Sequence, residues 1–267
     1  MQILKGINLK QVVTFILCIV FIFTSSTACA HRQTETPFYK VVEKVSESTV
    51  AIALNSPLKH STPKILGTGF AVGNGNYVVT NYHVVSGILD PTIVEDYVVL
   101  KGKGTKVNMI KGSVIHIDVQ HDLALIELEG RLKPLELDSS ELLPAGTEIA
   151  FTGFPIGAVL GLFPATHRGF ISALTPDAIP TQNADQLTVK MMKRLASTSV
   201  IYQLDATAYP GNSGSPMYDV ESGKVIGIIN KVIVKDAKES ALSAPSGISY
   251  AIPVAFIEKL LLRASDS

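Results

Sequence analysis

Tyr209-Pro210-Gly211-Asn212-Ser213-Gly214-Ser215-Pro216 sets a serine between two glycines, with a proline on either side. Prolines remove backbone donors and glycines free the backbone, so this run cannot continue a helix or a central strand. It reads as a tight loop that presents one hydroxyl. A hydroxyl alone is a weak nucleophile; it needs a base to take its proton and donors to receive an oxyanion. The rest of the chain is therefore read for a histidine and a carboxylate in suitable settings.

Working outward, residues 200–205 read as the strand that delivers the loop, and 225–234 as an apolar strand with Gly227 inside it. Further short apolar runs predict strands at 50–54, 67–72, 77–80, 97–100, 106–110, 113–117, 123–128, 148–152, 167–174 and 249–253, with Gly73-Asn74-Gly75-Asn76 as a hairpin turn. Helical spacing appears twice. Phe38, Val41, Val42 and Val45 predict a short amphipathic helix, and Phe256, Ile257, Leu260 and Leu261 a closing one. Residues 134–144 read as a crossover between two halves. Residues 176–199 carry the least pattern; a basic helix over 187–195 would expose Lys190, Lys193 and Arg194, read as a solvated face. Many short strands without βαβ alternation predict an all-β chain of two antiparallel barrels side by side.

The chain has 267 residues, enough for one large domain or two small ones. Lys plus Arg and Asp plus Glu are both 23, which argues against a nucleic-acid footprint. The two cysteines, Cys18 and Cys29, both precede the folded part, so neither a disulfide nor thiolate chemistry is expected there. His31, His60, His116, His121 and His167 lack metal-ligand spacing and read as surface or packing residues; no metal or cofactor is expected.

Lys5 and Lys10 precede an apolar run over 12–23, then Thr24-Ser25-Ser26-Thr27-Ala28-Cys29-Ala30. A basic start, a short apolar core and small residues describe an export signal. The run is shorter than the roughly 20 residues a spanning helix needs. Three readings compete: cleavage after Ala30; a lipobox at Ser26-Thr27-Ala28-Cys29, which would leave Cys29 as a lipid-bearing first residue on the membrane; and an uncleaved anchor. Each puts the domain outside the cytoplasm, in the periplasm or cell envelope or secreted. The expected layout is a signal peptide at 1–29, a tether and short helix at 30–45, an N-terminal barrel at 46–135, and a C-terminal barrel with its closing helix at 136–267.

Two further positions complete the search. His83 follows the 77–80 strand within Thr80-Asn81-Tyr82-His83-Val84-Val85. Asp122 opens the apolar strand of His121-Asp122-Leu123-Ala124-Leu125-Ile126. Asp118 is the rival carboxylate, without that following strand. His, Asp and Ser in this chain order are the order of the chymotrypsin-like double barrel. Those two segments, with Asp205-Ala206-Thr207-Ala208-Tyr209-Pro210-Gly211-Asn212-Ser213-Gly214, resemble the signature segments of bacterial HtrA/Deg-type trypsin-like serine proteases. The helix around Val41-Val42-Glu43-Lys44-Val45-Ser46 and the ending Ser249-Tyr250-Ala251-Ile252-Pro253 are also similar.

The resemblance implies a serine endopeptidase acting on polypeptides. Ser213 would attack the scissile carbonyl, His83 would move the proton, and Asp122 would steady the imidazole. The N–H groups of Gly211 and Ser213 would form the oxyanion hole. By alignment, Thr207 and Ala208 would floor the substrate pocket, with Ile229, Asn230 and Lys231 opposite. No carboxylate is evident there, so a small or medium apolar residue is expected before the cleaved bond. The chain departs from the family at Ser215, where a second glycine is common. It departs again at Asn212, which replaces the aspartate that pairs with a freed N-terminus in digestive members. The family also implies homotrimers, and often a PDZ module, which is not expected here. Competing readings are a non-catalytic or chaperone-like binder on the same scaffold, and an esterase.

Overall fold

The computed structural model describes residues 36–104, 106–155, 161–177, 198–230 and 247–265. The signal segment, Cys29, the 187–195 helix, Lys231 and the 231–234 part of the 225–234 strand lie outside the described residues.

Six antiparallel strands, β1 (Thr49–Asn55), β2 (Lys64–Val72), β3 (Tyr77–Asn81), β4 (Asp96–Lys103), β5 (Lys106–Asp118) and β6 (Leu123–Leu128), close into a barrel in the order β1-β2-β3-β6-β5-β4. A second closed barrel is built from β7 (Glu148–Gly153), β8 (Ala165–Pro176), β9 (Val200–Asp205), β10 (Pro216–Asp219), β11 (Val225–Asn230) and β12 (Ile248–Pro253). Its circular order, β7-β8-β9-β12-β11-β10, repeats that of the first barrel. The chain is thus an all-β, chymotrypsin-like double barrel with two short helices, α1 (Phe38–Ser46) and α2 (Val254–Ser265). Closure removes the sheet edges that would otherwise expose unpaired backbone groups. Among the described residues, no helix is long and apolar enough to cross a membrane.

Two local expectations need correction. The strands read at 106–110 and 113–117 are one strand of thirteen residues, β5, which bends at a register shift between Val114 and His116 opposite β6. A bulge lets one long strand serve the barrel where the pattern suggested a break. Strand β10 was not expected. It opens on Pro216 directly after the serine loop, at the first strand position, where a missing N–H is tolerated. The crossover read at 134–144 does link the two barrels, between β6 and β7, and is tied down on the way: Leu137 bridges to Val225, and Leu135 is buried.

Each barrel has its own core. Val50, Ile52, Val78, Val99 and Ile126 fill the first, and Phe151, Tyr202, Leu204, Met217 and Ile229 the second. A third cluster joins them: Phe70, Val79 and Leu125 meet Ala150, Tyr218 and Ile228, capped by Val41 and Val45 of α1 and Ile257 and Leu260 of α2. Fully burying one such side chain contributes about 1.5–3 kcal/mol. The amphipathic stripes of both helices are therefore spent on holding the barrels together, and the seam between them is a packed, fixed surface.

Candidate functional site

The seam carries the residues singled out above. β3 ends at Asn81 and runs into a single 3-10 turn, Tyr82–Val84, closed by a 3.0 Å bond from the Val85 N–H to the Tyr82 carbonyl. Val84 and Val85 are buried in the first barrel's core, so the turn is pinned from below. His83 lies directly before them, with its side chain 30% exposed.

Asp122 lies just before β6 and meets His83 twice. Its Oδ1 accepts the His83 backbone N–H at 2.8 Å, and its Oδ2 lies 2.6 Å from His83 Nδ1. Its carbonyl accepts the Tyr82 N–H at 3.0 Å and the Asn81 side-chain amide at 3.1 Å. The backbone here is unusual: Asp122 has φ 53°, the sole non-glycine among the described residues with positive φ. Aspartate is one of the few side-chain-bearing residues that adopt this conformation, and the bonds to Tyr82, Asn81 and His83 hold it here. Of the two rival carboxylates, Asp122 therefore faces His83. Asp118 instead lies 2.8 Å from the ring of His121. Burial pushes the Asp118 carboxyl up, but bonds from the His121 ring and N–H, that ring's charge and Arg263 outweigh it and hold it below its ordinary value.

Ser213 is 6% exposed and sits on the second barrel's side of the seam. Successive turns shape its loop: the Asn212 N–H bonds the Tyr209 carbonyl and the Ser215 N–H the Asn212 carbonyl, each at 3.0 Å. Gly211 has φ 98°, a conformation that a side chain would strain. Reciprocal bonds between Gly214, Ser215 and Ile229 tie the loop to β11.

Thr68, on β2 of the first barrel, reaches across. Its N–H donates to the Ser213 carbonyl at 2.8 Å and its hydroxyl to the Gly211 carbonyl at 2.7 Å, while the hydroxyl accepts the Phe154 N–H at 3.0 Å. Neighbouring Gly67 also packs closely: a Cβ there would lie 2.8 Å from Val84 and 3.0 Å from the Ser213 carbonyl. One strand of the first barrel therefore touches both the histidine turn and the serine loop. Thr68 and Asn81 escaped the sequence reading as site residues; a threonine between two glycines was the available signal for the first.

The pocket candidates divide. Thr207 and Ala208 are half-buried, with the Ala208 N–H bonded to Ser249 Oγ at 2.8 Å. Asn230 is buried and pairs in register with Tyr250. Ile229 gives its backbone to the serine loop, but its side chain belongs to the second barrel's core. Beside the loop, His167 stacks on Phe151 at 4.9 Å and lies 5.8 Å from the Tyr209 ring. Burial pushes its imidazole below the ordinary value of 6.5.

The profile of the trypsin-like peptidase domain matches residues 67–228, which include His83, Asp122 and Ser213. A probable periplasmic serine endoprotease, DegP-like, from Halomonas elongata is 28% identical over 190 residues, 71% of this chain and 33% of that protein. Serine protease HTRA1 from Xenopus tropicalis is 28% identical over 250 residues, 88% of this chain and 46% of that protein. The chain thus spans a third to a half of the length of these relatives. Among solved structures, the active form of the Rv3671c protease from M. tuberculosis shares the fold with a TM-score of 0.60, at 21% identity over 83% of this chain and 82% of that one. The chain belongs to the trypsin-like peptidase family, in the company of HtrA- and Deg-type serine proteases.

Proposed function

We propose that the chain is a serine endopeptidase that cleaves polypeptides outside the cytoplasm through His83, Asp122 and Ser213. The observation that carries this reading is the two-point grip of Asp122 on His83, on a turn that shares β2 with the serine loop.

With Asp122 Oδ2 accepting from Nδ1, the imidazole holds its proton on that side and offers the Nε2 lone pair to a hydroxyl. Ser213 Oγ bonds to the scissile carbonyl carbon as its proton passes to Nε2. The carbonyl oxygen takes up the negative charge, received by the Gly211 and Ser213 N–H groups. Collapse breaks the C–N bond, and the imidazolium protonates the leaving amine. Water, deprotonated by the same imidazole, then frees the acyl group and restores Ser213. Removing one oxyanion donor typically costs about 3 kcal/mol in the transition state. The absence of a carboxylate from Thr207, Ala208 and Asn230 favours a small or medium apolar residue before the cut. A cleavage profile dominated by Lys and Arg would overturn that preference.

The basic start and apolar run before residue 24, with the word periplasmic in the name of the Halomonas elongata relative, support export to the cell envelope. Cys29 is the residue that would carry a lipid, and a homotrimer is the expected assembly. The decisive experiment is labelling with a fluorophosphonate. Wild type labels and Ser213→Ala does not, and casein is cut without preference for esters. An unlabelled wild type would favour a peptide binder; ester cleavage without proteolysis would favour an esterase.

A further inference from the structure

Beginning four residues upstream of Asp122, at Asp118, the same side-chain types form a second hydrogen-bonded chain. Asp118 Oδ2 lies 2.8 Å from His121 Nδ1, and His121 Nε2 lies 3.0 Å from Ser199 Oγ. This chain is not built for nucleophilic attack. The Ser199 N–H, the donor an oxyanion would need, is taken at 3.1 Å by the carboxylate of Asp177. The imidazole face is closed as well, stacked on Phe256 of α2 with ring centroids 3.9 Å apart. The His121 and Asp118 side chains are 14% and 12% exposed.

What the chain does is hold His121 still. Its ring is bonded through both nitrogens, to Asp118 at the end of β5 and to Ser199 at the entrance to β9 in the other barrel. Asp118 Oδ1 also accepts the backbone N–H groups of Gln120 and His121, at 3.1 Å each, closing the turn. The next residue is Asp122, in a left-handed backbone conformation that few non-glycine residues adopt, aspartate among them. Beyond it, the Asp122 carbonyl is fixed by Tyr82 and Asn81. Asp122 is thus clamped on both sides, and on its N-terminal side the clamp is the side chain of His121.

We propose that His121 is a positioning residue for the His83–Asp122 pair, holding the Asp122 backbone through its bonds to Asp118 and Ser199 and its stack on Phe256. As a statement about catalysis this rests on the protease reading above; as a statement about geometry it does not.

The test uses His121→Phe, which keeps a ring over Phe256 but loses both bonds, and Ser199→Ala, which loses only the outer one. The first readout is the proton on His83 Nδ1. In a short charge-assisted bond it resonates far downfield, and it reports that bond whether or not substrate is turned over. The second is the split between kcat and KM on a peptide substrate. In folded His121→Phe the downfield resonance is expected to vanish or move upfield, and kcat to fall about tenfold with KM unchanged, as a slight misplacement of a catalytic group produces. Ser199→Ala should move both readouts the same way and less far. A folded His121→Phe with the wild-type resonance and kcat would overturn the inference. If that variant does not fold, a wild-type resonance in Ser199→Ala overturns it instead. A wild type without turnover, whose resonance is nonetheless lost in His121→Phe, would sink the protease reading and leave the positioning role standing.

Discussion

Two aspartate–histidine pairs take their carboxylates from within five residues, at Asp118 and Asp122, and their surroundings suit them to different work. In both, a carboxylate oxygen meets Nδ1, at 2.6 Å for Asp122–His83 and 2.8 Å for Asp118–His121. The His121 ring is bonded at its other nitrogen by Ser199 and covered by Phe256. His83 rides on a pinned turn at the seam, with twice the exposure, 30% against 14%. An imidazole moves protons only where its second nitrogen can reach a reacting group. Where that nitrogen is spent on the fold, the same pair is a brace. Chemistry is assigned by what closes around a residue more than by the residue's type.

The largest break in this comparison should come from Asp122→Asn. An amide cannot hold the imidazole in the required tautomer, and kcat should fall about 10⁴-fold, the loss seen on the equivalent change in a serine-protease triad; single-turnover kinetics on a peptide substrate would measure it. A loss under tenfold would mean the two pairs are not functionally distinct. Asp118→Asn should show a different profile. Fluorophosphonate labelling persists and kcat falls by no more than about tenfold, as for a slight misplacement of a catalytic group, while urea unfolding shows a loss of about 1–3 kcal/mol, the range for a buried group deprived of its partner. Asn81→Ala frees only the Asp122 carbonyl from one of its two donors, and should lower kcat by less than about tenfold. Such a fall without a change in urea midpoint would assign Asn81 to the first pair.

His167 sharpens the contrast from a third side, as a part-buried histidine whose shift has burial as its cause and no carboxylate among its contributors. Its folded-state value is below 6.5, so the unfolded chain binds the proton more readily. Its neutral burial is therefore fully favourable above that pH. Stability should decline as the pH falls from there towards the folded-state value, and level off below it. Replacement by phenylalanine should flatten this part of the curve. Urea midpoints at about pH 7.5 and about pH 5.5 would measure the difference, the smallest effect of the four.

Much of the architecture was legible along the chain, because short alternating runs, punctuating glycines and prolines, and two helical stripes are local signals. Pattern located β3 and β6 closely and delimited β9 residue for residue. It split β5, since a bulge changes the alternation without ending the strand. It passed over β10, since a proline and two glycines mask a strand that tertiary pairing with β7 and β11 creates. Among site residues, Thr68 was invisible because its role is a reach of 143 positions to the Gly211 carbonyl. His121 read as ordinary packing because Ser199 lies 78 positions away.

The sequence by itself determined the inventory: a serine in a loop that neither helix nor sheet can absorb, histidine and aspartate at strand ends, and enough short apolar runs for two barrels. These follow from what each residue permits its own backbone to do. Only the tertiary structure decided which carboxylate faces which histidine, that the barrels share one circular strand order, and that one strand braces both the histidine turn and the serine loop. Those are facts of closure, set when distant segments are packed into a common core, and no local preference encodes them.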